Sequence, residues 1–272
     1  MKIFISADIE GVAGVVIPAH GQQGNPEYER ARRLMTIEVN AAIAGAFDGG
    51  ATYVLVNDSH GPQINLLPDQ LDARAEVILG RPKPGGMCAG LDDSFDGVFF
   101  TGYHSGAGRN GVLAHTINGF AFLGIRVNGI DCAEATLYGA YAGSLGVPVA
   151  LLSGDDELMA QCGPLFPAAQ QVLVKHALGA RAARSIAPER ACQLLRHSAA
   201  DAVRGLAACT LYQIPAPYRL EIDVTSVTLA DQSALIPVAE RVAPRTVAFQ
   251  AETMQDVLGW IQTISMLSSF LR

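Results

Sequence analysis

Residues 3–11 read Ile-Phe-Ile-Ser-Ala-Asp-Ile-Glu-Gly, a short apolar strand that runs directly into two carboxylates, Asp8 and Glu10. Alternate residues of an extended chain point to the same side, so these two negative side chains face each other. They repel unless a cation lies between them, and buried carboxylates are stable only when they are paired or coordinate a metal. The stretch therefore indicates either a metal site or an exposed acidic turn at the end of the first strand.

Two further hydrophobic strands run into loops that carry histidines. Residues 52–56 lead to His60, and residues 97–101 lead to His104. The carboxyl ends of parallel strands share one edge of a sheet, where the functional groups of open α/β proteins gather. One histidine after a strand is more often packed or capped. Two histidines at the edge that also carries the acidic pair predict a metal-binding constellation, because imidazole is the commonest neutral metal ligand.

Strands and helices alternate over the first part of the chain. We predict helices over 27–48, 132–145 and 156–162, and strands over 52–56, 75–79, 97–101, 119–127, 148–152 and 170–174. This alternation is typical of an α/β fold with a mostly parallel sheet and helices on both faces.

The last part of the chain has a different pattern. We predict helices over 187–206 and 230–238, strands over 218–227 and 244–250, and a final helix within 257–271. This series predicts a smaller α+β second domain, and we place the two domains at 1–186 and 187–272. Asn128-Gly129 predicts a tight turn. The hairpin 113–130 around it belongs spatially either to the first domain or to the second.

Composition excludes several classes of partner. The chain has 272 residues, half of them hydrophobic, and a formal net charge of −7. Without a basic stripe, it is not expected to bind nucleic acid. Five scattered cysteines with no CxxC pair are typical of reduced thiols and a cytoplasmic protein. Residues 257–271 are interrupted by polar side chains and are too short to span a bilayer, and Asp8 comes too early for a signal peptide. We therefore expect no membrane partner.

Several sequence blocks together resemble the zinc-dependent D-aminopeptidases of the DppA type, peptidase family M55, through most of the chain. These blocks are SADIEG at 6–11, YERAR at 28–32, VNDSH at 56–60, GLDD at 90–93, GYH at 102–104 and GDD at 154–156. The resemblance implies two zinc ions per chain, with Asp8 bridging them. The metal ligands that it implies are Asp8, Glu10, His60, His104 and Glu134. Glu134 depends mainly on the resemblance, because the helix dipole also favours a carboxylate at a helix start.

The resemblance also implies that His115 is the catalytic residue and acts as a nucleophile. A histidine beside a metal centre can equally act as a general acid or base, or stabilise an oxyanion. A packed histidine within the hairpin 113–130 is the remaining alternative.

Together these features predict a cytoplasmic dinuclear zinc aminopeptidase acting on short peptides, with an N-terminal D residue as in D-Ala-D-Ala. The alternatives are another dinuclear metallohydrolase, such as an amidase or phosphoesterase, and a non-catalytic peptide-binding protein. The resemblance further implies a homo-oligomer, a decamer of two stacked five-membered rings. Apolar residues of the final helix support assembly, unless that helix docks on its own domain. These residues are Val257, Trp260, Ile261, Ile264, Leu267, Phe270 and Leu271.

Overall fold

The computed structural model describes residues 1–271. In chain order the strands are β1 (Lys2–Ala7), β2 (Tyr53–Asp58), β3 (Glu76–Ile78), β4 (Gly97–Thr101), β5 (Phe122–Val127), β6 (Ile130–Asp131), β7 (Val149–Asp155), β8 (Gln170–Gly179), β9 (Ala182–Ser185), β10 (Tyr218–Val224), β11 (Glu240–Ala243) and β12 (Thr246–Ala251). The α-helices are α1 (Pro26–Asp48), α2 (Glu134–Ser144), α3 (Asp156–Cys162), α4 (Pro188–Arg204), α5 (Val227–Ser233) and α6 (Met254–Leu267).

The first sheet has seven strands in the order β3-β2-β1-β4-β7-β8-β9. Neighbouring strands are parallel, except that β9 runs antiparallel to β8. Ile3 and Ile5 of β1 lie in a core cluster with residues of α1 and α4. Phe4 faces the other way, into a cluster with residues of α2 and the second sheet. Both faces are therefore covered, which confirms the predicted α/β fold.

The second sheet has five antiparallel strands in the order β11-β12-β10-β5-β6. Its β5–β6 turn is formed by Asn128 and Gly129, both with positive φ, as expected for an Asn-Gly hairpin. Ile125 of β5 lies opposite Ile222 of β10, so the first strand of the hairpin pairs with the C-terminal part of the chain.

Helix α4 follows the predicted domain boundary in sequence but packs against α1 on the first sheet. Segments from both sides of the boundary thus contribute to each sheet. The division into 1–186 and 187–272 stays a prediction.

Two details of the predicted helices and strands are wrong. The helix predicted over 230–238 is α5, which begins earlier because the Ser226 side chain accepts a hydrogen bond from the Leu229 N–H and caps it. Strands β9 and β11 were not predicted. Both are short edge strands whose residues are largely exposed, so they lack the apolar pattern by which a buried strand is recognised.

The final helix α6 docks on the second sheet. Val257, Ile261 and Ile264 are buried there, and the Trp260 ring stacks on Phe249 with the centroids 5.0 Å apart. Phe270, just beyond the helix, keeps 53% of its surface exposed. Most of the apolar face considered for assembly is therefore covered within the chain itself. Between residues 1 and 271, no helix is both long and apolar enough to cross a membrane.

The carboxyl ends of β1 and β4 approach each other at backbone level. Gly102, directly after β4, has a φ of +67°, and a Cβ at this position would lie 2.2 Å from the Asp8 carbonyl oxygen. Gly11 N–H donates to the Gly102 carbonyl at 2.7 Å. Only glycine fits at residue 102, and its small size lets the segments that carry Asp8 and His104 lie side by side.

Candidate metal centre

Three neighbouring strands of the first sheet, β2, β1 and β4, end at the same place. They bring together His60, Asp8 and His104. Asp8 Oδ1 lies 3.4 Å from His60 Nδ1, and Asp8 Oδ2 lies 3.4 Å from His104 Nε2. The two oxygens of one carboxylate thus face two different imidazoles, which is the geometry expected of a bridging ligand.

Two further carboxylates complete the cluster. Glu10 Oε2 lies 3.0 Å from His60 Nδ1, and Glu134 Oε2, from the first turn of α2, lies 3.4 Å from His104 Nε2. Two three-residue groups share Asp8: one is Asp8, Glu10 and His60, and the other is Asp8, His104 and Glu134. A third group is Glu10, His104 and His115. Within each group, one potential ligand atom from every residue lies within 4.8 Å of the others. The structure therefore brings all five predicted ligands into two groups that share Asp8.

Hydrogen bonds on the far side of each imidazole fix which nitrogen faces the carboxylates. His60 Nε2 lies 2.9 Å from the Gly21 carbonyl oxygen, and His104 Nδ1 lies 2.9 Å from the Ser105 carbonyl oxygen. A carbonyl oxygen only accepts, so these ring nitrogens carry the protons. In the neutral rings, His60 Nδ1 and His104 Nε2 are left with free lone pairs that point at the carboxylates, as metal ligands require.

The donor set fits a divalent metal. Asp8, Glu10 and Glu134 are all buried, which is costly for carboxylates that lack a cationic partner. Glu10 Oε2 and His104 Nε2 are buried atoms without a hydrogen-bond partner. Imidazole nitrogens with carboxylate oxygens are the ligands of catalytic zinc sites. The residues present can therefore hold zinc at both groups.

The pKa values in the cluster are shifted mainly by the pairing of carboxylates with imidazoles. Burial alone would raise the pKa of Asp8, but the neighbouring imidazoles of His104 and His60 hold it well below its ordinary value. Burial alone would lower the pKa of both histidines. Glu10 and Asp8 raise the pKa of His60, and Glu134 with Asp8 raises that of His104, in both cases well above the ordinary value. Without a metal, protons on the imidazoles balance the carboxylates, and metal binding has to displace these protons.

His115 lies against this cluster on the loop between β4 and β5. Its ring stacks on His104 with centroids 4.3 Å apart, and its Nε2 lies 3.8 Å from Glu134 Oε1. Its Nδ1 donates to the Leu113 carbonyl at 2.9 Å, so Nε2 is the nitrogen directed at the cluster. The ring is partly exposed and is not packed away as a structural histidine would be.

The loop around His115 is conformationally strained. Leu113 has a φ of +56° and Ile117 a φ of +63°. A positive φ is unfavourable for a β-branched residue such as Ile117, and strain of this kind clusters at functional sites. The Ile117 N–H donates to Glu134 Oε1 at 2.6 Å, so the carboxylate that faces His104 also holds the loop in place.

Sequence reasoning missed two buried residues beneath the centre. Lys175, in β8, is 1% exposed, and its ammonium group donates to the backbone carbonyls of Glu10, Val12 and Val15. Glu38, in α1, is buried as well and accepts a hydrogen bond from the Ala13 N–H at 2.8 Å. The two side chains hold the loop that follows Glu10. The available signal was a lysine directly after the apolar run 172–174 of β8.

Asp58, at the end of β2, holds the loop that follows it. Its carboxylate accepts hydrogen bonds from Asn65 and from the Leu66 N–H, and Asn65 Nδ2 also donates to the His60 carbonyl oxygen. Asp58 therefore shapes the loop that carries His60, while the Gly21 carbonyl orients the ring. Asp155 caps α3 by accepting from the Leu158 N–H.

A cavity of about 750 Å³ opens onto the centre, and its lining includes Asp8, Glu10, His60, His115 and Glu134. This volume lies within the range of small-molecule sites. The lining also includes the apolar side chains of Leu113, Ile117 and Met266. The arrangement can therefore hold a small ligand next to the proposed metal ligands and His115.

Comparison with known proteins agrees with this geometry. Residues 1–263 match the Peptidase M55 family, described as D-aminopeptidase. The chain is 34% identical over 260 residues to the D-aminopeptidase of Bacillus subtilis (strain 168), which covers 94% of this chain and 93% of that protein. The structure matches that of the Zn-dependent D-aminopeptidase DppA from Bacillus subtilis, described as a self-compartmentalizing protease. The TM-score is 0.95 at 32% identity, covering 99% of this chain and 98% of that one. The resemblance noted in the sequence is confirmed, and the chain belongs to peptidase family M55, the D-aminopeptidases.

Proposed function

We propose that this protein is a dinuclear zinc aminopeptidase that removes the N-terminal residue from short peptides of the D-Ala-D-Ala type. The observation that carries the proposal is the pair of three-residue groups that share Asp8. Asp8, Glu10 and His60 would hold one zinc ion, and Asp8, His104 and Glu134 the other. The zinc dependence of the matched Bacillus subtilis enzyme supports this choice of metal.

Zinc, when bound, supplies Lewis-acid chemistry to the scissile carbonyl and to water. Three carboxylates and two Zn²⁺ leave a net charge of about +1, which suits that chemistry. The protein's own residues orient the peptide in the cavity and move protons. His115 is the candidate for proton transfer, because its Nδ1–H is fixed on the Leu113 carbonyl and its Nε2 is free to exchange a proton. We assign it the role of general acid and base, accepting a proton from the attacking water and giving it to the departing amine.

The experiment combines metal analysis with a substrate panel. Protein purified without chelator should contain two zinc ions per chain, and less than one metal per chain would contradict the proposal. The panel contains D-Ala-D-Ala, L-Ala-L-Ala, their amides and a phosphoester, each assayed with and without added Zn²⁺. Hydrolysis of the phosphoester alone would favour the phosphoesterase alternative, and peptide binding without turnover would favour a binding protein.

We further propose that the enzyme works in the cytoplasm as a homo-oligomer, a decamer of two stacked five-membered rings. The free cysteines support a reducing compartment, and the self-compartmentalizing relative supports assembly. Leu178 and Leu235 are each 74% exposed and would be buried by assembly. Light scattering tests the oligomer, since a monomer at micromolar concentration would exclude the ring.

A further inference from the structure

The cavity that contains the proposed metal centre also has positively charged residues on its wall. We call them the cationic wall: Arg81, Lys83, Arg109 and Arg181. They come from three separate loops, after β3, after β4 and between β8 and β9. The gathering of four cations at one cavity is notable in a chain whose formal net charge is −7.

The cationic wall is not neutralised by the protein. In the part of the chain that the structure describes, none of its four residues forms a salt bridge with a carboxylate. Arginines elsewhere do: Arg126 lies 2.6 Å from Asp223, and Arg74 lies 2.6 Å from Asp72. The positive charges at the cavity are therefore available to an anionic ligand.

Lys83 contacts the segment that carries His60. Its Nζ donates to the Asp58 carbonyl oxygen at 2.8 Å, at the end of β2 and two residues before His60. An ammonium group has three donors, so further donors remain for a ligand. Lys83 is half-buried, and this burial lowers its pKa to about 8. A partly desolvated cation of this kind is stabilised by an anion that enters the cavity.

The cavity is lined both by the proposed metal ligands and by the cationic wall. Carboxylates and histidines gather at the proposed metal centre, and the cations line the wall beside it. A short peptide with its N-terminal residue at the metal centre extends its free C-terminal carboxylate along the same cavity, where these cations are available to bind it. A folded protein or a long peptide cannot place both termini in a cavity of about 750 Å³.

We infer that Lys83, with the arginines of the cationic wall, binds the C-terminal carboxylate of the peptide substrate while the N-terminal residue lies at the metal centre. This inference rests on the proposed function and extends it, because it makes the free C-terminus a determinant of specificity. The enzyme is then selective for very short peptides by charge recognition as well as by the size of the cavity.

The test compares kcat/KM for D-Ala-D-Ala and for D-Ala-D-Ala amide. We expect the wild-type enzyme to prefer the free acid by roughly tenfold or more, mainly through KM, because the charged hydrogen bonds are made on binding. Lys83→Met should reduce this ratio towards one, and Lys83→Arg should retain much of it. The matched control is Lys2→Met, which removes the same charge at the opposite, amino-terminal end of β1 and should leave the ratio unchanged.

A third substrate, D-Ala-D-Glu with an amidated C-terminus, carries its carboxylate on the side chain. If this peptide is cleaved as well as the free dipeptide, and if its cleavage depends on Lys83, the cationic wall binds a side-chain carboxylate. Our assignment of the C-terminal carboxylate is then overturned. Equal hydrolysis of acid and amide by the wild type would overturn it without affecting the proposed function. Failure to hydrolyse any of the peptides would instead refute the proposed function.

Discussion

The buried ammonium group of Lys175 donates a hydrogen bond to the backbone carbonyl of Glu10. The same group donates to the Val12 and Val15 carbonyls at 3.0 and 2.6 Å, so a single side chain closes the loop that follows Glu10. A lysine buried in this way is costly unless every donor is used. Glu10 is therefore held through its backbone as well as through its side chain.

Lys175→Met should lower both stability and zinc affinity. The substitution leaves three buried carbonyls without their donor, and we expect a loss of about 3 kcal/mol in the free energy of unfolding. Urea unfolding and zinc titration measure the two effects, with Lys2→Met as the exposed control. Unchanged zinc affinity in a folded Lys175→Met protein would show that the lysine does not position Glu10.

Glu38 should make stability depend on pH. Burial raises its pKa to about 7 from an ordinary value of 4.5, so the folded state retains a proton that the unfolded state releases. The protonated form of Glu38 contributes its full stabilisation of the folded state below pH 4.5. This contribution is lost as the pH rises from 4.5 through 7. The loss amounts to about 3 kcal/mol. The free energies of unfolding of the wild type and of Glu38→Gln should therefore diverge over this range. The variant should be the relatively more stable of the two proteins at pH 8. A difference in the free energy of unfolding between the two proteins that does not vary with pH would contradict the raised pKa of Glu38.

Asp8→Ala should abolish zinc binding at both positions, because its two oxygens face both histidines. Equilibrium dialysis followed by metal analysis gives the stoichiometry. Circular dichroism establishes that the variant is folded. Two zinc ions bound at wild-type affinity would rule out a bridging role for Asp8.

His60→Ala and His104→Ala should each reduce zinc binding by about one ion per chain, because each histidine belongs to a different one of the two groups that share Asp8. His197→Ala is the control, since His197 is exposed on α4. The measurement is again zinc per chain, together with peptidase activity. A fully metallated and fully active His104→Ala protein would remove that residue from the centre.

His115→Ala should retain its zinc and lose most of its turnover. A general acid or base contributes roughly 10²–10⁴-fold, and we expect a loss of kcat in this range. Zinc content and kcat must be measured on the same preparation. Parallel loss of metal and activity would make His115 a ligand, and unchanged kcat would make it structural.

The sequence was sufficient to predict the part of the site that depends on parallel strands. Asp8, His60 and His104 each follow a hydrophobic strand, and the carboxyl ends of parallel neighbours have to meet at one edge of the sheet. Their proximity therefore follows from the alternation of strands and helices in the sequence, which predicts a parallel sheet. Their roles as metal ligands stay predictions until metal binding is measured.

The rest of the site depends on contacts that have no local sequence signature. His115 reaches the cluster through a loop in which Leu113 and Ile117 adopt positive φ, and neither residue type indicates that conformation. Glu134 comes from the first turn of α2 and accepts a hydrogen bond from the Ile117 N–H of this loop. Lys175 resembled a surface residue because charge normally indicates exposure. Its burial depends on the carbonyls of a loop far away in sequence.

The close approach at Gly102 offers a practical filter for recognising working members among distant homologues. Any side chain at this position would collide with the Asp8 carbonyl oxygen, 2.2 Å from where its Cβ would lie. A homologue with alanine or a larger residue there has to separate the ends of its two central strands. It would then lose the spacing between the aspartate and the histidine even if both residues are retained in its alignment. Screening genomes for this glycine together with the five acidic and imidazole positions would distinguish active enzymes from degenerate copies.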